Sequence, residues 1–390
     1  MAAGEQQRID VVDALRGFAL FGLLMVHCVE RFELYWLNPQ PDPWFDAVFA
    51  VFSSKAYAMF ALLFGFSFAT IMANERARGG DLTGRFVRRL LILLAIGLLH
   101  GLIYRGEILQ VLAVIGLVLV PTDRVRSNRL LLIGAAIMLV QLPLMLRGWA
   151  ASRGIGWAEQ PPLFWGDSGL GVLASGSFAD MLSVNVWRGM VAKWSFYLEG
   201  GRATEIVGLF LIGMVLQRSQ LFAQAHERRG AWIAILIAGG ALWALASFIE
   251  SRVLPLEASQ MTVDSVTALF TRYRAVGATF FQVALFVLLW HSPIGKPLAL
   301  LAPSGRMTLT LYVLQSLVFV WVFYGFGLDL YDDLSNRGTV ILGLAAFAVQ
   351  IVLAMLWFRA FRYGPLEWLW RAGTMGSFAT PLRRHSVAAM

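Results

Sequence analysis

"RGFALFGLLMVH", Arg16–His27, is the stretch that decides the fold. Ten apolar or glycine residues separate a guanidinium from an imidazole. Eleven steps of 100° come to about 20° past three full turns, so a helix here puts Arg16 and His27 on one face. At 1.5 Å per residue they stand roughly 16 Å apart along the axis. That is about half of a ~30 Å hydrocarbon core. An arginine at the membrane edge therefore sets the histidine near mid-depth. Asp13 and Glu30 fall near the same stripe. One face carries Asp13, Arg16, His27 and Glu30, and the rest is Phe, Leu, Val, Met, Ala and Gly.

The whole chain has the same character. Of 390 residues, 58% are hydrophobic and 14% charged, where a soluble domain carries about 25% charged residues. This predicts an all-α polytopic membrane protein in contact with a lipid bilayer. The net charge of +8 reads as basic residues in cytoplasmic loops that set orientation. No basic tract with interleaved polar residues points to nucleic acid. The lone Cys28 excludes an internal disulfide and reads as a small buried apolar residue. The first apolar run lacks a net-positive flank and a small-residue cleavage site, and reads as a retained helix.

Ten apolar runs recur, at about 14–29, 47–73, 90–104, 107–121, 130–146, 205–217, 231–249, 272–290, 307–327 and 338–358. The expectation is about ten transmembrane helices with both termini cytoplasmic. Twenty Lys and Arg, among them Arg8, Arg78 and Arg384, then lie on the inner side, and six, including Arg272 and Arg274, in short outer loops. The chain reads as one integral-membrane domain, 1–390. It has a long outer segment at 147–204 and a cytoplasmic interfacial tail at 359–390. Within the outer segment Met181, Val184, Trp187, Val191, Trp194 and Leu198 recur at spacings of three and four. That predicts an amphipathic helix on the outer leaflet. In the tail, "YGPLEWLWRAG" predicts a helix starting at Pro365, with a Glu367–Arg371 pair and two interfacial tryptophans.

The opening pattern has an echo. Arg89 and His100 are again eleven positions apart, and in the ten-span topology the two helices run the same way, so His27 and His100 share a depth. Two imidazoles at one level suit a common cavity. Glu107 follows on the same face if the helix continues, but the intervening Tyr-Arg-Gly predicts a turn. Lys55 falls near the outer end of the second span, where snorkelling is the default. Arg306, Thr308, Tyr312 and Gln315 decorate one side of the ninth span, as interhelical hydrogen bonding requires. Arg85, Arg88 and Arg89 precede the third span. They satisfy the positive-inside pattern, and their forked guanidinium groups also suit phosphate. Neither a P-loop nor a zinc-type His/Cys spacing occurs, so no metal site is expected.

"DALRG" with the Arg-x10-His run, and the Arg85-x-x-Arg88 pair, resemble the integral-membrane acyltransferases, which include heparan-alpha-glucosaminide N-acetyltransferase. The stretches "FSSKAYAMFALLFGFSF", "RRLLILLAIGLLH", "RGEILQVLA", "SGRMTLTLYVLQS" and "YGPLEWLWR" resemble the YeiB-like bacterial membrane proteins across residues 13 to 371. Glu107 stands where such proteins commonly carry Asp, Leu112 where an aromatic is common, and Leu311 where Asn is common. The resemblance implies a multi-pass protein of the bacterial inner membrane and an acyl transfer. An acyl-CoA, acetyl-CoA in the first instance, would bind through Arg85, Arg88 and Arg89. His27 would be general base or acyl carrier. His100, Asp13, Arg16, Glu30 and Glu107 would support it. Lys55, Arg306, Tyr312 and Gln315 would meet a glycan, lipid or small-molecule acceptor bearing a hydroxyl or amine. The reading leaves room for a homo-oligomer. Two other readings use the same residues: a transporter or proton-coupled channel with a His/Glu relay, and a non-catalytic scaffold in which polar groups tie helices together.

Overall fold

Asp10 and Asp13 open the first helix, α1 (Asp10–Val29), at the positive end of its dipole. Apolar on nearly every side, α1 is buried in the centre of the bundle. The computed structural model describes residues 9–77, 83–253 and 259–383; Arg8, Arg78 and Arg384 of the charge pattern lie outside the described residues. Apart from one isolated bridge between Phe361 and Arg383, the described residues form helices, turns and loops.

After α1 come α2 (Pro43–Phe52), capped by the Asp42 side chain, then α3 (Lys55–Arg76) and α4 (Thr83–Ile103). The chain turns at 104–108 as Tyr-Arg-Gly predicts, and α5 (Leu109–Ile115) runs on through short helical turns to Thr122. α6 (Asn128–Leu139) and α7 (Leu142–Ala151) are separated by Val140 and by Gln141, the latter held at φ +62°. α8 (Phe178–Val184) and α9 (Met190–Glu199) are joined by a π-helical turn at Asn185–Gly189. The rest is α10 (Arg202–Arg218), α11 (Arg229–Val253), α12 (Gln260–Trp290), α13 (Ala302–Arg306), α14 (Thr308–Phe323), α15 (Asn336–Ala360) and α16 (Pro365–Met375).

All ten apolar runs are helical for most of their length. Among the described residues, seven helical stretches are long and apolar enough to span a membrane. The number is eight if Pro293–Arg306 and Thr308–Phe323, bent by 79° at Met307, form one span. Two expected spans fall short. The run at 107–121 breaks into short pieces, and α10 has 17 residues. α10 is apolar because it packs against α3 and α6 inside the protein, with Ile206, Leu209 and Phe210 almost fully enclosed. Hydropathy alone does not separate a buried core helix from a lipid-facing one. The outward faces of α6, α11 and α15 expose Leu and Ile, as in Leu130, Ile237 and Ile341, and supply the surface that lipid covers.

Several local expectations are corrected. The segment 147–204 opens with the last turn of α7, which runs to Ala151. Its helix does not keep one apolar face. Met181 and Val184 are buried, but Trp187 is 73% and Leu198 61% exposed. The π turn inserts an extra residue and rotates the helix beyond it, so Lys193 and Tyr197 become buried positions of α9. Arg272 and Arg274 are not loop residues: α12 starts at Gln260, and Arg272 is buried within it. In the tail Pro365 does open α16, but Glu367 accepts hydrogen bonds from Thr310 N (3.1 Å) and Oγ1 (2.6 Å) instead of pairing with Arg371. The indoles of Trp368 and Trp370 donate to the carbonyls of Thr380 and Arg89, because α16 packs on α4.

Candidate functional site

The polar face of α1 opens into two cavities, one at each end. At the N-terminal end Asp13 and Arg16 line a space of about 430 Å³ with Ser67 (α3), Arg89 (α4), Arg306 (α13), Thr308 (α14), Glu367 and Trp370 (α16). At the C-terminal end His27 and Glu30 line a space of about 540 Å³ with Tyr57 (α3), Tyr104, Lys193 (α9), Arg202 (α10) and Tyr312 (α14). The same elements wall both. Thr308 lines the first cavity and Tyr312 the second; so do Leu112 and Ile108, and Phe60 and Tyr57. Three or four helical residues separate each pair, about 6 Å or one turn.

The Arg16 cavity is basic. Arg16 donates to Asp13 Oδ1 and to Ser67 Oγ, each at 2.7 Å. Arg89 stacks over the Trp370 ring at 3.5 Å, and Arg306 over Phe358 at 4.0 Å. Asp13 therefore orients Arg16 as expected. Of the predicted phosphate cluster only Arg89 reaches this cavity. Arg85 pairs with Glu75 at 3.2 Å, and the Arg88 guanidinium lies beside Gly376. Arg16 and Arg306 complete a three-arginine set drawn from α1, α4 and α13. Burial raises the Glu367 carboxyl above the usual carboxylate range, against the lowering effect of the Thr310 hydrogen bonds.

In the second cavity His27 is 8% exposed, with Nδ1 enclosed and unpartnered; Nε2 is the nitrogen left to meet a substrate. Its ring lies 5.1 Å from Tyr104 and 6.3 Å from Tyr312, centroid to centroid. His100 contacts the same two tyrosines, at 6.4 and 5.3 Å. The two histidines thus share one level, as their matched spacing implies. His100 itself is sealed behind the tyrosines, with both ring nitrogens unpartnered. The Tyr312 hydroxyl accepts from Ile108 N at 3.1 Å.

The remaining predicted residues take other places. Glu30, expected to orient the His27 ring, accepts instead from the Trp36 indole at 3.2 Å. Glu107 is fully enclosed, caps α5 by accepting from Leu109 N (2.6 Å) and Gln110 N (3.2 Å), and binds Lys193 at 2.9 Å. Lys55 donates to the Phe49 carbonyl outside the cavity lining. Gln315 bonds Gln350 at 3.0 Å, joining α14 to α15.

Several residues were not foreseen. α1 ends in three successive left-handed residues, Arg31, Phe32 and Glu33, at φ +48°, +51° and +84°. Such conformations cost non-glycine residues roughly 1–2 kcal/mol each and persist where surrounding contacts over-determine them. Here Arg31 donates to the Leu334 carbonyl (2.8 Å), Tyr324 to that of Phe32 (3.1 Å), and Arg105 to Glu33 (2.6 Å). Tyr57 and Arg272 both bind the buried Glu205, at 2.7 and 3.2 Å. The signal for Lys193 and Arg202 was the lone lysine and the Gly-Gly-Arg at the end of the outer segment. The apolar periodicity drew attention to the wrong side of that helix.

Comparison with known proteins gives the geometry a context. Residues 8–166 match the model "Heparan-alpha-glucosaminide N-acetyltransferase, catalytic", and residues 216–377 match "Protein of unknown function (DUF418)". "Uncharacterized protein YxaH" of Bacillus subtilis (strain 168) is 29% identical over 411 residues, covering 98% of both chains. "Uncharacterized protein YeiB" of Escherichia coli (strain K12) is 28% identical over 412 residues, covering 95% of this chain and 97% of its own. The first matched region holds Asp13, Arg16, His27, Arg89 and His100, and the second holds Arg306, Tyr312 and Glu367, so both cavities are built from both regions.

Proposed function

We propose, starting from this chain's YeiB-like character and the acetyltransferase-like match of its first half, that it transfers an acyl group across the inner membrane from acyl-CoA to an acceptor on the far side. The observation that carries the reading is the pair of cavities on one face of α1, basic at one end and holding His27 at the other, with one to two helical turns of wall between them. The donor enters from the cytoplasm. Arg16, Arg89 and Arg306 fit its phosphates, since forked guanidinium groups match phosphate oxygens. Its thioester arm lies along the wall toward Tyr312. The acceptor sits in the other cavity with its hydroxyl or amine on His27 Nε2. His27 takes the acceptor proton, the acceptor oxygen or nitrogen bonds to the thioester carbon, the carbon–sulfur bond breaks, and His27 passes the proton to the departing sulfur, which leaves as the CoA thiol. Tyr104 and Tyr312 hold the His27 ring.

The test uses the purified protein in proteoliposomes. Radiolabelled acetyl-CoA should bind from one face only, and R16Q/R89Q/R306Q should weaken it more than tenfold. Cysteines placed at 160 and 377 should label from opposite sides. Unchanged acetyl-CoA binding in the triple variant would remove the donor site. The 79° bend at Met307 favours a second reading, a transporter, because broken spans commonly border transported substrates. Arg306 and Thr308 flank that bend and line the Arg16 cavity. Passage of labelled acetyl groups without release of CoA would favour it.

A further inference from the structure

The charges around the His27 cavity balance in number but are not all paired. Arg105 is paired with Glu33 at 2.6 Å and Lys193 with Glu107 at 2.9 Å. Behind the wall, Arg272 is paired with Glu205 at 3.2 Å. Arg202 lines the cavity and is the lining cation, among the described residues, with no carboxylate within ion-pair distance. Its guanidinium lies over the Tyr57 ring at 4.7 Å and the Phe196 ring at 4.2 Å, and its one hydrogen bond is a long one, 3.4 Å, to Ser54 Oγ. Stacked faces leave the N–H edges directed in the guanidinium plane. Arg202 is also the first residue of α10, so the positive end of a 17-residue helix adds to its field. Among the described residues Glu30 is the lining carboxylate with no cation at ion-pair distance; its Oε1 takes the Trp36 indole N–H, and it lies within the electrostatic reach of Arg202. Around these groups Trp36, Phe164, Trp165 and Phe196 supply flat apolar surfaces.

We infer that Arg202 is an anion-binding residue: the acceptor carries a carboxylate or phosphate that seats on its guanidinium, while the apolar face of the same molecule lies on the aromatic wall. The inference rests on reading the His27 cavity as the acceptor site. It narrows the acceptor from any hydroxyl or amine to an anionic one, in the manner of an acidic or phosphorylated sugar. A half-buried guanidinium with only a weak hydroxyl contact gains one or two charge-assisted hydrogen bonds from such a ligand. A neutral sugar leaves it as it is.

The test is equilibrium dialysis of labelled glucose, glucuronate and glucose 6-phosphate against the full-length protein in nanodiscs, at constant ionic strength. One anion at least should bind about tenfold or more tightly than glucose. Arg202→Gln should bring it down to the glucose level and leave glucose itself unchanged. Arg202→Lys should keep part of the preference. Whichever anion wins tells carboxylate from phosphate. Equal affinities in the wild type overturn the inference, as does no measurable binding of either anion. A uniform loss across all three sugars in R202Q also overturns it, assigning Arg202 to packing on Tyr57 and Phe196. Because the readout is binding, selective capture of an anion with no acetyl transfer would refute the acyltransferase reading and leave Arg202 as assigned.

Discussion

Glu107 can be tested as a structural residue by a double-mutant cycle with Lys193. Both side chains are almost fully enclosed, 0% and 4% exposed, and 2.9 Å apart. K193M removes the ammonium and leaves a carboxylate held by only the Leu109 and Gln110 amides. Breaking a buried pair from one side costs about 3–5 kcal/mol, because the other charge stays buried without compensation. E107Q leaves Lys193 in the same position and should cost about as much. In E107Q/K193M neither position holds an ion, and a neutral replacement of a buried pair is often close to neutral in stability. The coupling energy should then be about 3 kcal/mol or more, over a hundredfold in the unfolding equilibrium. Unfolding by SDS in mixed micelles, followed by tryptophan fluorescence, measures all four corners. Additive costs, or single variants within about 0.5 kcal/mol of wild type, would refute the argument and reopen a catalytic role for Glu107.

His27→Ala should lower acyl transfer by about 10²–10⁴ while leaving the unfolding midpoint nearly in place, since the Nδ1 atom has no partner to lose; equal loss of turnover and of fold would sink the general-base assignment. One alanine inserted between Gly22 and Leu23 turns the C-terminal part of α1 by about 100° and should abolish transfer, with acetyl-CoA binding in proteoliposomes retained. Gly305→Ala should destabilise by about 1–3 kcal/mol, because a Cβ there meets the Asp13 carbonyl where α13 crosses α1; an undisturbed melting point would mean that the crossing relaxes freely. Glu367→Gln should flatten the pH dependence of stability: a carboxyl raised on folding favours the folded state below its unfolded pKa and loses that contribution as pH rises through the folded value, so a wild-type curve without such a fall contradicts the burial argument.

The α1 face was legible because one element carries it. Helical arithmetic placed Arg16, Asp13 and His27 together, and a second element with the same spacing placed His100 at the same level. The Arg16 cavity was legible only in part. Its third arginine, Arg306, comes from a distant element, and a chain bend at Met307 aims it there. Arg88 points about 100° away from Arg89, and Arg85, on nearly the same face but one turn nearer the helix start, pairs with Glu75, so one of the three reaches the cavity. The outer wall was misread for a local reason. A π turn shifts the register of a helix midway, and no spacing rule that assumes 3.6 residues per turn survives it. Tyr57, Glu205 and Arg272 meet only through tertiary contacts between α3, α10 and α12.

The wall between the two cavities has an electrical consequence. A transmembrane potential falls mainly where water is excluded, and on the proposed reading the two polar cavities leave a barrier of one to two helical turns, about 6 to 10 Å, in place of ~30 Å. The field across that wall would then be roughly three to five times the bilayer average. A full charge crossing it does work of about 2.3 kcal/mol per 100 mV, although it moves no farther than from Thr308 to Tyr312. A thioester, being neutral at the reacting carbon, crosses without that work. On the proposed reading, a thiolate left on one side and a proton released on the other would separate one full charge across the wall, whereas passing the acceptor proton through His27 to the departing sulfur leaves neutral products and moves no net charge. Acyl transfer by that electroneutral route, as proposed above, would leave the membrane potential undischarged.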